Sequence, residues 1–493
     1  MRTFRSLLAT CWLLSACLWA QPADPPACAA QTAATPAAQA QASPAPAEND
    51  LKARVETLER KLEQLEKRVD AALPPGTAAG GTAAGADRLY QLDEKVQLLE
   101  QIAKPKDAPV LTTGRDTFSI SSPDQAYRLR IGAHLQADGK TFFDNQARLL
   151  TSSFNLRRAR PIFEGSLGKY VDFRFVPDFG NGQALLYDAY ADIKMHPMAV
   201  LRAGKFKTPL GLEVLQNDAD TTFIERALPS DLLPNRDEGF QVYGNVLDRA
   251  TYAVAVLNGA PGGASIDADS NAGKDLVGRI FATPFAQTGP AALRGLGFGL
   301  GASSGRQNGP TLSVFKTTGG QATFFSYVPN TIAAGRRLTY SPQLYYYYGP
   351  FGLMAEYAES SQPLSFNSVT RDIGTHAWQV AGSWVLTGEK KSYRSVVPRK
   401  GLEGGKSGNG IGAWEVAARY TALTVDPTAF AVKFADPTKS ARAARTWTVG
   451  LNWYLNYFVR IATNYEQTRF QGGALGGNRV TEKVLAERLQ VAF

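Results

Sequence analysis

The stretch of sequence that decides the fold runs from Arg128 to Asp138 and reads RLRIGAHLQAD. Its residues alternate between two faces, one carrying Arg128, Arg130, His134 and other polar groups, the other Leu, Ile and Ala. A period of two belongs to a β-strand, because successive side chains point to opposite faces of a sheet. The alternation recurs in residues 171–175, 187–194, 447–455 and 459–462. The chain therefore contains many amphipathic strands.

Sixteen strands are expected from this alternation and from the turn residues between them. They lie near residues 128–143, 157–168, 170–178, 185–194, 200–206, 238–245, 249–258, 275–283, 293–304, 339–348, 351–360, 375–386, 413–424, 445–455, 457–469 and 483–493. Short turns alternate with long connections at 206–238, 259–274, 305–338 and 424–445, and only 387–412 is long on the short-turn side. A soluble sandwich would instead have short, evenly spaced turns. The sequence thus predicts an all-β, 16-stranded antiparallel transmembrane β-barrel over residues 115–493.

The C-terminal strand supports a barrel inserted in outer-membrane lipid. The chain ends on Phe493, with Leu489 and Val491 on the same face of the strand. Such an ending is typical of strands that the barrel-assembly machinery receives, so this machinery is an expected partner. Aromatic residues also cluster near strand ends, where amphipathic rings lie at the membrane interface.

Composition excludes several other classes of protein. Of 493 residues, 20% are charged, and no apolar run beyond the first twenty is long enough for a transmembrane helix. The three cysteines all lie within residues 11–28 and the three histidines stand far apart, so neither a disulfide scaffold nor a metal site is expected. We expect no enzyme, no cofactor and no nucleic-acid partner. The net charge is +9, and the excess lies beyond residue 110, where it favours small anions or acidic lipid.

The N-terminal region has the features of an exported protein. Residues 1–20 carry two arginines and then an apolar run, which predicts a signal peptide with an end that could lie as late as residue 29. Leu14-Ser15-Ala16-Cys17 resembles a lipoprotein box, so acylation of Cys17 is an alternative to ordinary cleavage. Residues 21–47 are rich in Ala, Pro and Gln and predict a flexible linker.

Residues 48–104 predict a periplasmic coiled coil with a Gly/Ala break. Apolar residues recur at spacings of four and three from Leu51 to Val69, and the pattern resumes briefly from Leu89 to Leu99. This period keeps one apolar stripe facing a partner helix. A solvated amphipathic helix that packs on its own domain is the alternative, but the low-complexity flanks favour oligomerisation. A second hypothesis for the whole chain follows, in which the barrel anchors an envelope tether.

Basic residues dominate the face that would line the barrel lumen. Besides His134, this face carries Arg128, Arg130, Arg158, Arg160, Arg174, Lys194, Arg279 and Arg460. Fixed positive charge lowers the barrier for anions and repels cations. The alternative is that these residues pair with lumen carboxylates, namely Asp138, Glu164, Asp172, Asp188 and Glu466.

The connection at the third external position is expected to fold inward and narrow the lumen. It spans Lys207–Glu238 and is rich in charged residues. The candidate constriction residues are Glu213, Asp218, Asp220, Glu225 and Arg226.

Several of these stretches together resemble the phosphate-selective porin O/P family of Gram-negative outer membranes. They are Ile131–Asp138, Asn155–Arg160, Gly204–Phe206 continuing to Gly211–Glu213, Leu386–Glu389, Ile411–Glu415 and Val449–Tyr454. The resemblance covers roughly residues 115–493 and implies a trimeric sixteen-stranded porin in which an arginine ladder guides anions. By motif match it implies that Arg157 and Arg158 are ladder residues and that Asp188 is a constriction carboxylate.

Three positions depart from the phosphate-specific pattern of that family. His134 stands where an arginine is usual, and Val214 stands where the family's site has a lysine. Segment 305–338, which corresponds to the arginine-rich fifth loop of the family, offers only Arg306, Arg336 and Arg337. Each lost cation removes a charge-assisted hydrogen bond to phosphate. We therefore expect passive, anion-favouring diffusion of small solutes, with phosphate or polyphosphate as one candidate and a weakly selective general porin as the alternative.

Overall fold

The structure is a computed structural model that describes Arg60 and residues 108–114, 117–143, 150–269, 271–402 and 410–493. The chain divides into two units, residues 1–99 and 100–493, and the strands belong to the second. The expected signal peptide (1–20), linker (21–47) and coiled coil (48–104) lie outside the described residues, apart from Arg60. They stay predictions.

The described residues form twenty-one strands. In chain order these are β1 Val110–Gly114, β2 Thr117–Ser121, β3 Tyr127–Phe142, β4 Ser153–Leu167, β5 Val171–Asp178, β6 Leu185–His196, β7 Ala199–Lys207, β8 Arg236–Val246, β9 Ala250–Leu257, β10 Asp275–Ala282, β11 Leu296–Gly309, β12 Phe315–Lys316, β13 Thr323–Phe325, β14 Ile332–Tyr348, β15 Phe351–Phe366, β16 Val369–Val385, β17 Ala413–Val425, β18 Ala441–Tyr454, β19 Val459–Ala474, β20 Gly477–Asn478 and β21 Glu482–Ala492. Two single-turn helices, α1 Leu212–Leu215 and α2 Thr428–Ala431, lie in connections. No helix of the described part is both long and apolar enough to cross a membrane.

Sixteen of these strands form one closed antiparallel barrel. They are β3–β11, β14–β19 and β21, each paired with its neighbour along the chain. Pairing of β21 with β3 closes the barrel, and the backbone N–H and C=O of Phe493 bond Ala133 beside the closure. Each of the sixteen expected ranges overlaps one of these strands. The expected fold class is therefore confirmed for the barrel.

The two ends of the barrel differ in their connections. The end that carries Phe493, called here the turn end, has mostly short turns, and the opposite end, called the loop end, has most of the long connections. Residues 386–412 are a long connection at the turn end, as the sequence predicts, but residues 283–295 between β10 and β11 are a second one that was not expected. At the loop end β15 and β16 extend further than expected and meet in a two-residue turn, Asn367-Ser368, with φ of 48° and 63°. Such left-handed turns match the twist of the flanking strands.

The burial pattern of the wall is the reverse of that in a soluble protein. Outward side chains such as Leu135, Val254 and Ile280 are large, apolar and exposed, whereas inward polar side chains such as Gln136 and Glu415 are buried. A wall of this kind is suited to lipid outside and polar groups inside. The alternation read from the sequence therefore has its apolar face outward.

Some aromatic residues near strand ends face inward rather than toward lipid. Tyr348 is exposed, but Phe142 and Tyr454 are buried. The phenol of Tyr454 donates to Glu415 at 2.6 Å inside the barrel. Adjacent aromatic residues in one strand cannot both face lipid, because neighbouring side chains point to opposite faces.

An apolar cluster joins three of the long connections at the loop end. The connection between β7 and β8 supplies Leu228, Leu232 and Leu233, and the connection between β11 and β14 supplies three phenylalanines, Phe315, Phe324 and Phe325. Phe434, from the connection between β17 and β18, completes the cluster. Burial of these side chains stabilises a packed arrangement of the loops over the barrel wall.

Removal of the carboxylate of Asp138 is expected to destabilise the barrel closure. Arg488 of β21 and Asp138 of β3 are register partners, almost fully buried, and joined by two hydrogen bonds of 2.7 Å. Breaking a buried pair leaves a charge without its partner and costs about 3 kcal/mol. Asp138→Asn should lower the free energy of unfolding measured in denaturant by about that amount. Asp372→Asn, at an exposed position, is the control, and equal effects of the two substitutions would contradict the assignment.

Candidate functional site: a basic cavity in the barrel lumen

A β-bulge in β4 turns two consecutive arginines toward the lumen. Gln136 of β3 pairs with Arg158, but the next residue, Ala137, pairs with Leu156, so Arg157 is the extra residue. The side chains of Arg157 and Arg158 both reach partners inside the barrel. Strict alternation would send Arg157 toward lipid. The bulge is the physical reason that both arginines reach the lumen.

Residues of the next connection support this bulge. Asp178 accepts hydrogen bonds from the backbone N–H groups of Ala159 at 3.2 Å and Gly180 at 3.0 Å. A Cβ atom at Gly180 would lie 2.4 Å from the carbonyl oxygen of Arg157. Only glycine allows this close approach of the two backbone segments.

A second bulge, in β6, brings Tyr187 and Asp188 into the lumen together. Val176 pairs with Asp188 and Pro177 pairs with Leu186, which leaves Tyr187 as the extra residue. Its ring lies between the guanidinium groups of Arg160 and Arg236, each 3.2 Å from the ring centroid. The flat faces of guanidinium and phenol stack favourably. Tyr187 of β6 therefore orders two arginines from strands on either side of it, Arg160 of β4 and Arg236 of β8.

The connection at residues 208–235, called here the lumen loop, crosses the inside of the barrel. Two of its carboxylates meet the arginines described above. Asp218 contacts Arg158 at 3.4 Å and also bonds Arg160, Arg226 and the phenol of Tyr187. Glu225 bonds Arg157 at 2.7 Å and Arg488 at 3.3 Å. The predicted ladder residues thus hold the loop against the wall.

The electrostatics of the two loop carboxylates favour their charged form. Burial by itself would raise the pKa of Asp218, but the guanidinium groups of Arg226, Arg158 and Arg160 outweigh burial and hold the pKa well below its ordinary value. The pKa of Glu225 is lowered in the same way, with Arg157 and Arg488 outweighing burial. Both anchors are therefore ionised at neutral pH.

The opposite side of the lumen loop is fixed by hydrogen bonds to β14–β21. Glu356 accepts from the backbone N–H groups of Leu212 at 2.6 Å and Glu213 at 3.2 Å. Glu213 in turn accepts from the N–H of Ala227 at 2.8 Å and from Gln379 at 2.9 Å. Four further wall side chains donate to loop carbonyls, namely Arg419, Asn452, Arg460 and Gln490.

The long connection at residues 386–412 also enters the lumen and meets the loop. The carbonyl of Tyr393 accepts from Gln216 at 2.7 Å, and the N–H of Ser395 donates to Asp220 at 2.9 Å. Lys391 is buried and pairs with Glu415 at 2.7 Å. The long segment on the short-turn side therefore folds inward as a support of the lumen loop.

A cavity of about 550 Å³ remains along β3–β10. Six basic side chains and two carboxylates line it together with His134. They are Arg160, Arg174, Arg202, Lys207, Arg236, Arg279, Asp188 and Asp218. His134 is buried, and its Nε2 has no hydrogen-bond partner among the described residues. The cavity wall is thus predominantly positive.

Four of the six basic side chains are matched by carboxylates. The pairs are Arg160–Asp178 at 2.6 Å, Arg174–Asp188 at 3.5 Å, Arg202–Asp192 at 2.7 Å and Arg236–Asp188 at 2.7 Å. Lys207 and Arg279 form no ion pair with any described residue. Lys207 donates to the carbonyl of Gln216 at 2.6 Å and Arg279 donates to Gln343 at 3.0 Å. These two are therefore the basic side chains of the cavity without a carboxylate partner in the described part of the chain.

The remaining predicted residues lie near the turn end of the lumen face. Arg128 is exposed and bonds Gln125 at 2.8 Å, while Arg130 pairs with Glu164 at 3.0 Å. Lys194 pairs with Asp172 at 2.7 Å. Pairing with lumen carboxylates, the alternative considered from the sequence, is thus widespread in the wall.

Sequence reasoning missed several residues of the cavity. They are Tyr187, Tyr190, Arg202, Lys207, Arg236 and Tyr243. Arg202 of β7 lies on the same inward face of the β6–β7 pair as Tyr190 of β6. The alternation of residues in the predicted strand 200–206 could have indicated this direction. Lys207 and Arg236 occupy the last and first residues of β7 and β8, where parity alone does not decide a direction.

Loss of the Asp218 carboxylate is expected to release the lumen loop. Asp218→Asn removes the charge that faces three guanidinium groups, so the loop should become mobile. Single-channel recordings in a planar bilayer should show larger current noise, and protease should cut within residues 208–235. Asp220→Asn is the control because Asp220 accepts one backbone bond, from Ser395. An unchanged current in Asp218→Asn would contradict the anchoring role.

Because the pKa values of Asp218 and Glu225 are lowered, a decrease in pH to about 5 should leave both carboxylates ionised and the lumen loop in place. A carboxylate with a lowered folded pKa contributes stability above its unfolded pKa and loses it only as pH falls through the folded value. Conductance and current noise should therefore match at neutral pH and at about pH 5. Noise that rises over this window would show that the anchors titrate there.

Comparison with known proteins places this geometry in a family. The family model described as "Phosphate-selective porin O and P" matches residues 129–493. Porin O of Pseudomonas aeruginosa PAO1 is 29% identical over 127 residues, which are 24% of this chain and 27% of Porin O. The match thus spans about a quarter of that relative's length.

The solved structures that are similar to this chain include porins of low sequence identity. OmpT of Vibrio cholerae is 11% identical with a TM-score of 0.49, covering 75% of this chain and 98% of that one. An anion-selective porin from Comamonas acidovorans is 12% identical with a TM-score of 0.46, covering 74% and 100%. Because the family match extends over most of the chain and through the whole barrel, the chain is a porin of the bacterial outer membrane and belongs to the phosphate-selective porin O and P family.

Proposed function

We propose that this porin passes small anions in preference to cations, along the cavity that lines β3–β10. The observation that carries the proposal is the surplus of basic side chains there, six against two carboxylates. A fixed positive wall raises the local concentration of anions and opposes cations. The lumen loop confines solutes to this side, because its other contacts fill the side of β14–β21.

The two cations without carboxylate partners are assigned the main role in selectivity. In an ion pair, most of the field of a guanidinium is cancelled by its partner at short range. Lys207 and Arg279 have no carboxylate partner among the described residues, and both line the cavity. Arg157 and Arg158, by contrast, do not line it and are assigned to anchoring the loop.

Phosphate is the solute class proposed within this anion preference. Val214 is buried in the apolar cluster and supplies no charge at the position where the family motif has a lysine. Lys207, from the neighbouring strand end, brings an ammonium group to the cavity instead. Arg236 and Arg279 add planar donors that suit phosphate oxygens. We also propose a homotrimer, as the family resemblance implies, which chemical cross-linking of detergent-solubilised protein would test.

The double substitution Lys207→Gln with Arg279→Gln is expected to weaken anion selectivity. Reversal potentials in asymmetric KCl give the ratio of chloride to potassium permeability, which should exceed one in the parent protein and fall toward one in the variant. Lys439→Gln is the control, since this lysine is 83% exposed in a connection at the loop end. A parent ratio near one would instead favour a weakly selective general porin.

Phosphate is expected to compete with chloride for passage. In symmetric KCl, added phosphate should reduce the single-channel chloride current in a saturable way, because a bound polyvalent anion occupies the basic cavity longer than chloride does. The same double substitution should remove this block. Chloride current that is insensitive to phosphate would refute phosphate binding while leaving anion preference to the reversal-potential experiment.

A further inference from the structure

Two pairs of arginines lie on the outer wall of the barrel, directly opposite each other across neighbouring strands. Arg306 of β11 faces Arg336 of β14, and Arg445 of β18 faces Arg469 of β19. All four side chains are exposed. The residues on either side of each arginine along its strand are buried, apart from the half-buried Gly335, so the arginines have the outward parity. Each pair lies within a few residues of the loop end of its strands.

These pairs are electrostatically unfavourable by themselves. Opposite residues of an antiparallel pair have Cβ atoms about 5 Å apart, and like charges at that distance repel. Arg306, Arg445 and Arg469 make no hydrogen bond or ion pair with any described residue, and Arg336 only donates to the hydroxyl of Ser304 at 2.7 Å. The wall therefore holds two sets of like charges with no counter-charge from the described protein.

Most arginines on the inner face of the wall, by contrast, have carboxylate partners. Ten of them form ion pairs with lumen carboxylates: Arg130, Arg157, Arg158, Arg160, Arg174, Arg202, Arg236, Arg337, Arg419 and Arg488. The chain thus supplies carboxylates for most arginines that face the lumen, whereas Arg279 and Arg460 bond uncharged groups. Arg336 and Arg337 illustrate the contrast, since Arg337 turns inward to Asp275 at 2.7 Å and its neighbour turns outward without an anion.

Around both pairs, the outer wall is basic near the loop end and apolar below it. A lipid has the same order of polar headgroup and apolar acyl chains. Moving from the loop end toward the turn end, exposed apolar side chains follow the arginines on the same face. Below the first pair these include Leu338, Leu300 and Phe298, and below the second pair Trp447, Val449 and Leu451. Acyl chains would lie on this apolar surface while the headgroup lies beside the arginines. In outer-membrane barrels the long loops face the cell exterior, so both pairs lie at the level of the outer leaflet.

We infer that the arginine pairs Arg306/Arg336 and Arg445/Arg469 bind phosphate groups of a phosphorylated glycolipid of the outer leaflet. Two guanidinium groups side by side offer several N–H donors in fixed planes, which match the oxygens of a phosphate monoester. One phosphate between them converts the repulsion into two charge-assisted contacts. The apolar side chains below select a lipid-borne phosphate over a free one, because free phosphate gains nothing from them.

The test measures binding of lipid A that carries both phosphates to the folded, detergent-solubilised porin by native mass spectrometry. The parent should bind about two lipids per chain with preference over lipid A from which the phosphates have been removed. Each double variant, Arg306→Gln with Arg336→Gln or Arg445→Gln with Arg469→Gln, should lose one tight site. Its affinity there should fall at least about tenfold, the loss expected for charge-assisted bonds. Arg→Lys at the same positions should bind with intermediate affinity, because the charge remains and the planar donors do not.

The matched control is Arg249→Gln with Arg371→Gln. It removes two exposed charges, one from a turn at the opposite end and one from the inward-parity row of β16. Heat-modifiability on gels and unchanged conductance would show that every variant retains a folded barrel. Lipid binding that is unaltered in both double variants, or equal binding of dephosphorylated lipid A, would overturn the proposal. Displacement of the lipid by inorganic phosphate would overturn the lipid assignment, and a changed oligomeric state would assign the arginines to a contact between copies.

Discussion

The ion pairs between the carboxylates of the lumen loop and the guanidinium groups of the wall fix the position of the loop inside the barrel. Asp218 and Glu225 are buried and meet arginines from several strands. A buried charge without a partner would be strongly destabilising, so the loop is stable inside the barrel only where these arginines are. Their positions therefore decide which part of the lumen is filled and which part stays open.

Because of these ion pairs, the net positive charge of the sequence is a poor measure of the charge that a solute meets in the lumen. Residues beyond 110 carry a clear excess of basic groups, yet most arginines of the lumen face carboxylates of the loop or of the wall. Lys207 and Arg279 are the basic side chains of the cavity that have no carboxylate partner among the described residues. Our proposal of anion preference therefore rests on unpaired basic groups rather than on the number of arginines.

The strands could be predicted from the sequence because the lipid side and the lumen side of each strand differ in polarity residue by residue. The alternation in Arg128–Asp138 carries that information locally. The two bulges could not be predicted in this way, since Arg157 and Tyr187 reach the lumen only because one extra residue resets the parity. The inward fold of the turn-end connection also depends on distant partners, such as the pair between Lys391 and Glu415.

Successive side chains of a strand point to opposite faces, so the inner and outer arginines of one wall need counter-charges from different sources. Where no bulge intervenes, a strand that carries arginine at successive positions places one charge on each face, as β14 does with Arg336 and Arg337. Inside, the folded chain supplies Asp275 as the partner. Outside, the described chain supplies no carboxylate, and the neighbouring strand adds a second arginine instead. On our proposal that these arginine pairs bind lipid phosphates, the counter-charge for that face comes from the membrane leaflet.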